Sequence, residues 1–87
     1  MSNAGKLPCA VFFLVFGRDE DGEFIELGDL TLIDDGSAVV NNDYDGIGLR
    51  FFDSHAEAVH YVETRVCATP IYYDPEKQMT AKIRVEG

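Results

Sequence analysis

The side chains able to do chemistry here are sixteen carboxylates, two histidines, two cysteines and one Asn/Asp/Gly loop, and their spacing decides what that chemistry could be. Asp19, Glu20, Asp21, Glu23, Glu26, Asp29, Asp34, Asp35, Asp43 and Asp45 fall within residues 19–45, a stretch without lysine or arginine. Residues 46–87 set Asp53, Glu57, Glu63, Asp74, Glu76 and Glu86 against Arg50, Arg65, Lys77, Lys82 and Arg84, so the net charge of -9 sits mainly in the first half. Such a surface repels nucleic acid and anionic membrane and speeds encounter with basic partners. One account is that acidic turns keep a small, apolar-cored protein soluble. A sharper one is that spaced carboxylates imitate a phosphate backbone and occupy the basic site of a nucleic-acid-handling partner. On that account the ten acids, with Tyr44 as an aromatic anchor, are the partner-binding residues.

Asn41-Asn42-Asp43-Tyr44-Asp45-Gly46 resembles the start of a calcium loop, with Asn41, Asp43 and Asp45 at the first, third and fifth positions and glycine at the sixth. The match stops there: Phe52 stands where the bidentate glutamate belongs, and Asn, Asp and Gly are what any tight turn selects. These three residues are weak metal candidates, and no metal or cofactor is expected. His55 and His60 are five apart and fall on different sides of a helix, unlike the four-residue spacing of a zinc helix. His55 reads as a half-buried packing residue and His60 as a solvent-facing one. Cys9 and Cys67 form no C-x-x-C pair and read as small buried hydrophobes in a reduced protein. No nucleophile elbow, phosphate loop or dinucleotide-binding glycine motif occurs, so the chain is read as non-enzymatic. Tyr61, Tyr72 and Tyr73 fit ordinary sheet and helix packing better than interface anchoring.

The elements that must position these residues follow from periodicity. Ser54 and Glu57 stand in capping-box relation ahead of His55, Ala58, Val59, Val62 and Val66, one apolar helical stripe, and Pro70 closes off a helix of about 13 residues, roughly 20 Å long. Cys9 to Phe16 is an unbroken apolar run between Pro8 and Gly17, read as a strand buried on both faces. Asp21-Gly22 marks a turn into a strand over residues 24–33, whose apolar residues change phase, from Ile25 and Leu27 to Leu30 and Leu32. A β-bulge at Gly28-Asp29 reconciles the two halves. Asp34-Asp35-Gly36 turns into a short strand over 37–41, a loop follows over 42–48, and Ile47, Leu49 and Phe51 lead to the helix. Beyond the helix, 71–73 and 78–86 form a hairpin whose last strand alternates Met79, Ala81, Ile83 and Val85 against polar neighbours.

The order β-β-β-β-α-β-β describes an α+β protein: a mainly antiparallel, curved sheet of five or six strands with one α-helix packed on one face. Residues 1–8 are expected as a flexible leader, in which Met1 to Ala4 resembles a tag remnant, and residues 9–87 as a single domain. No apolar run approaches the roughly 20 residues of a membrane-spanning helix, and the start lacks a secretory signal, so a cytoplasmic location is expected. A sheet of five or six strands is about 20 to 25 Å wide at about 4.8 Å per strand, whereas one helix is about 10 Å across. The second face therefore either closes by curling or docks on another protein or a second copy.

Phe51 to Glu63 (F-F-D-S-H-A-E-A-V-H-Y-V-E) is similar to a strand-cap-helix segment found in many small α+β proteins, including some phage-encoded, anti-CRISPR-like inhibitors of bacterial defence systems. The resemblance covers about 13 residues and implies a folding solution without assigning a role to any of them. The expected function is that of a small acidic protein-binding module, in its most concrete form an inhibitor that mimics nucleic acid. Its partner is a protein with a basic surface, with no direct nucleic-acid or membrane binding. The alternative is a homodimeric domain that binds a small ligand or metal.

Overall fold

The computed structural model describes residues 9–42 and 48–83, and there the expected periodicities become one six-stranded antiparallel sheet with one helix packed on it. The elements are β1 (Ala10–Arg18), β2 (Phe24–Ile33), β3 (Ala38–Asn42), β4 (Gly48–Phe52), α1 (His55–Tyr61), a π-helical turn (Val62–Val66), β5 (Ile71–Asp74) and β6 (Met79–Ala81). Their order in the sheet is β4-β3-β2-β1-β5-β6. The first four strands form a meander, which leaves β4 at one edge. Because β5 pairs with β1, the chain must recross three strands to reach its place, and the helix makes that crossing over one face.

The serine half of the capping box forms as the spacing predicts, while the glutamate takes the Ser54 hydroxyl. Ser54 Oγ accepts the Glu57 backbone N–H at 3.1 Å and donates its own hydrogen to Glu57 Oε2 at 3.2 Å. The stripe then turns inward: Ala58, Val59 and Val62 are buried, and they pack with Phe13, Val15, Leu30, Ala38, Val40 and Tyr72 to form the core. Burying an apolar side chain of this size contributes about 1.5–3 kcal/mol, so this single layer holds most of the fold. His55 is half-buried, as expected, and its Nε2 lies 2.7 Å from the Ile33 carbonyl oxygen. A carbonyl can only accept, so Nε2 carries the proton and the ring ties the first helical turn to the end of β2.

The structure also corrects several expectations. The bulge falls one residue earlier than Gly28-Asp29: Val15 opposes Gly28 and Phe16 opposes Glu26, so Leu27 is the extra residue. That slip sends both Ile25 and Leu30 to the helix side, which is why the apolar phase changes. Gly28 is required there by close approach, since a Cβ would overlap the carbonyl oxygen of Asn41 on β3. The helix keeps α geometry only to Tyr61, and the Cys67 N–H then reaches back five residues to the Val62 carbonyl at 2.8 Å. The last strand stops at Ala81, because β5 offers β6 only three partners, Tyr72, Tyr73 and Asp74. Ile83 still packs against the core without strand pairing.

Two further differences concern burial. The first strand is covered on one face only: Phe13 and Val15 are buried, while Leu14 and Phe16 are half-buried and Phe12 is exposed. Cys9 is exposed and Cys67 half-buried, so the reading of both thiols as buried hydrophobes fails for Cys9, which lies just ahead of β1. Among the described residues the sheet does not close on itself either, since β4 and β6 each pair with a single neighbour, and no element among them covers its second face.

Candidate binding face

Directly opposed residues of antiparallel neighbours share a face, so the strand registers draw the open face as a grid. One row runs Phe51, Val39, Thr31 and Phe12 from β4 to β1. The next runs Leu49, Asn41, Asp29, Leu14, Tyr73 and Thr80 across all six strands. A third holds Glu26, Phe16 and Ile71, and a fourth Phe24 and Arg18. Phe51 is 76% exposed, Leu49 61%, Phe24 58% and Phe12 42%. Taking about 200 Å² for a phenylalanine, these four and their half-buried neighbours present on the order of 600 Å² of apolar surface. That is at the upper end of the largest patch on an ordinary monomer.

Within this face lies a groove of about 310 Å³ lined by Leu14, Phe16, Phe24, Ile71, Tyr73 and Thr80. Phe16 and Tyr73 meet edge to face with centroids 6.5 Å apart. The Arg18 guanidinium lies 4.7 Å from the centre of the Phe24 ring, so this ring already receives a cation on its π-face. Among the described residues no charged residue lines the groove itself; in the strand register Glu26 stands opposite Phe16 and Asp29 opposite Leu14 on β2. Asp29 Oδ2 accepts a hydrogen bond from Asn41 Nδ2 at 3.3 Å.

The ten acids of the first half are not gathered at one point. Asp19, Glu20, Asp21 and Glu23 are exposed around the β1–β2 turn, and Asp34 and Asp35 are exposed at the β2–β3 turn, at the opposite end of β2. Glu26 and Asp29 lie between them on the open face, so the eight described acids follow β2 from end to end. Three also serve the fold, Asp29 through its bond from Asn41. Asp19 Oδ1 accepts the backbone N–H groups of Asp21 and Glu23, each at 2.9 Å. Asp35 Oδ1 accepts the Ser37 hydroxyl and, at 2.8 Å, the Ser37 N–H, and these bonds hold its carboxyl below the usual carboxylate range. Asp43, Tyr44 and Asp45 lie outside the described residues. Asn41 sits on β3 beside Asp29, and among the described residues no group of three or more His, Cys, Asp or Glu side chains is placed to hold a metal ion.

On the helix side a shallower hollow of about 650 Å³ runs past Phe52, Ala56, Glu57, His60, Tyr61, Thr64 and Arg65. Two of its polar groups already have local work: the Glu57 carboxylate accepts the Ser54 hydroxyl, and Thr64 Oγ1 donates to the His60 carbonyl at 2.8 Å. On the helix side of β5, Tyr72 is buried, and its hydroxyl has no hydrogen-bond partner among the described residues. Burial, reinforced by Glu63 and Cys67 nearby, pushes its phenol up to about 12.

Sequence reading names the acids and Tyr44 as the binding residues and raises docking of the second sheet face without naming the side chains that form it. The signal was present in the even-numbered apolar residues of β1, Phe12, Leu14 and Phe16. They were assigned to a buried second face because nothing in the chain says which face the helix leaves open. The fold and this face together define an α+β protein with a one-sided core and an apolar, acid-bordered outer sheet surface. Comparison of the chain with protein-family models, curated proteins and solved structures found no match, and no helix among the described residues is long and apolar enough to cross a membrane.

Proposed function

We propose that the protein acts without chemistry of its own, as a small acidic binding module that docks on a basic surface of another protein. The observation that carries this reading is the uncovered sheet face, on the order of 600 Å² of apolar surface, with the carboxylates of β2 along it and acidic turns at both its ends. A standard interface takes about 800 Å² from each partner, so the face and its acidic rim are the right size for one. In its most concrete form the module is an inhibitor whose line of carboxylates along β2 stands in for a phosphate backbone and blocks a nucleic-acid-binding site. Binding to such a partner is expected to weaken by at least tenfold between about 50 and 200 mM salt, because exposed charge pairs are screened over about 10 Å. Titration calorimetry with purified basic nucleic-acid-binding proteins at the two salt concentrations tests it, and salt-independent binding contradicts the electrostatic part.

The homodimer is the second reading, favoured by Phe51 and Leu49, the two most exposed large apolar residues of the open face, which sit together on edge strand β4. Sedimentation velocity separates the two readings. A monomer that binds a basic partner supports the first, and a tight dimer burying the sheet supports the second.

A further inference from the structure

The geometry points to the groove over β1 and β5 as the place where the partner is held, and to an arginine side chain of that partner as its occupant. This rests on the binding-module reading and goes further, by naming the residues and the recognised group. Three aromatic side chains, Phe16, Phe24 and Tyr73, line one groove with Leu14, Ile71 and Thr80. Aromatic faces attract cations, and guanidinium most often, while the arginine stem can lie along apolar wall. Glu26 and Asp29, the β2 register partners of the lining residues Phe16 and Leu14, supply the complementary charge beside it. The chain already makes one such contact in miniature, Arg18 over Phe24 at 4.7 Å.

Charge decides against a second copy as the occupant. Each copy carries -9, and β2 and β1 are the two central strands of the sheet. Two open faces laid together would bring the exposed Glu26 of both copies into one dry layer between two chains of like net charge, which is unfavourable. A partner arginine removes that objection and gains from the same carboxylates. An apolar ligand would fit the lining but would leave the β2 acids without a role in recognition.

The test uses the intact protein and a capped tetrapeptide carrying two arginines, compared with the same peptide carrying citrulline, which keeps the shape and loses the charge. Titration followed by aromatic and methyl NMR resonances is expected to move Phe16, Phe24, Tyr73 and Leu14 with the arginine peptide, with an affinity on the order of 1 mM. Phe24→Leu, at a 58% exposed position, is expected to weaken binding about two- to fivefold, the contribution of one exposed cation–π contact. Glu26→Gln is expected to weaken it by a similar factor, and Arg18→Ala to tighten it by freeing the Phe24 ring. Equal shifts with the citrulline peptide overturn the arginine assignment in favour of an apolar ligand. Arginine-dependent shifts confined to the acidic turns overturn the groove while leaving the binding-module reading intact. Groove resonances that move with protein concentration alone identify a second copy and overturn the proposal. Failure of both peptides to bind also overturns it, and the salt-dependent partner binding described above then judges the broader reading separately.

Discussion

At the residue scale the most informative side chain is one that has what it should not need. Tyr72 is buried on the helix side, edge to face with Phe13 at a centroid separation of 6.4 Å, and its hydroxyl has no partner among the described residues. A buried hydroxyl without a hydrogen bond is a penalty that the ring's packing must outweigh. Tyr72→Phe removes the penalty and keeps the ring, so its urea-unfolding stability is expected to equal that of the parent or exceed it by up to about 1 kcal/mol. The sign at high pH follows from the raised phenol. The unfolded side chain ionises near 10.0 and the folded one near about 12, so between those values the unfolded state sheds a proton that the native state keeps. Stability therefore falls as pH rises through that window, by about 2 kcal/mol at roughly 1.4 kcal/mol per unit. Tyr72→Phe is expected to lose this part of the alkaline decline. A phenylalanine variant destabilised by more than about 1 kcal/mol would show that the hydroxyl has a partner. None of this was legible in the sequence, where Tyr72 is one of two adjacent strand tyrosines. Which of the pair turns inward is set by the register with β1, in which Val15 opposes Tyr72 and Leu14 opposes Tyr73.

At the element scale local signals were the reliable ones. The capping box, the apolar stripe and the proline stop all lie within a few residues of what they control, and the helix starts where they place it. Ser54→Ala removes the hydroxyl that accepts the Glu57 N–H and is expected to cost about 1 kcal/mol, with Ser54→Asp restoring most of it, since aspartate caps as well as serine. Thermal unfolding followed by circular dichroism reads both. An alanine variant as stable as the parent would mean that helix position is set by packing alone. What local signals could not reveal was the change to π geometry after Tyr61. Val62 and Val66, which bound that turn, both pack against a core built from distant strands. The shift of the bulge from Gly28 to Leu27 also involves a distant strand. The phase change in β2 showed that a residue had to be absorbed, and the close approach of Asn41 decided which. Similarly, the polar-apolar alternation of the last segment continues past Ala81, but pairing ends where β5 ends.

For the molecule as a whole, the sheet has one face that carries stability and one that does not, and mutations should divide accordingly. Alternation along each strand made the two faces legible in the sequence, whereas their unequal fates depend on where a single helix comes to rest. It rests over β3 and β4 on the side of Leu30 and Val40. Leu30 is fully buried on central strand β2, and Leu30→Ala opens a cavity among Phe13, Val40 and Val59 that is expected to cost about 3 kcal/mol. In a domain of this size that is a large share of the total, which is roughly 5–10 kcal/mol. Phe51 is 76% exposed on the edge of the other face, so Phe51→Lys gives up almost no native burial and is expected to change stability by no more than about 0.5 kcal/mol. A lysine on an edge strand also guards against pairing with a second chain, so any self-association through β4 is expected to fall while folding is untouched. Urea unfolding and sedimentation of the two variants separate these effects. If Phe51→Lys destabilised the monomer as much as Leu30→Ala, the open face would be part of the folding core, and the case for reserving it for a partner would fail.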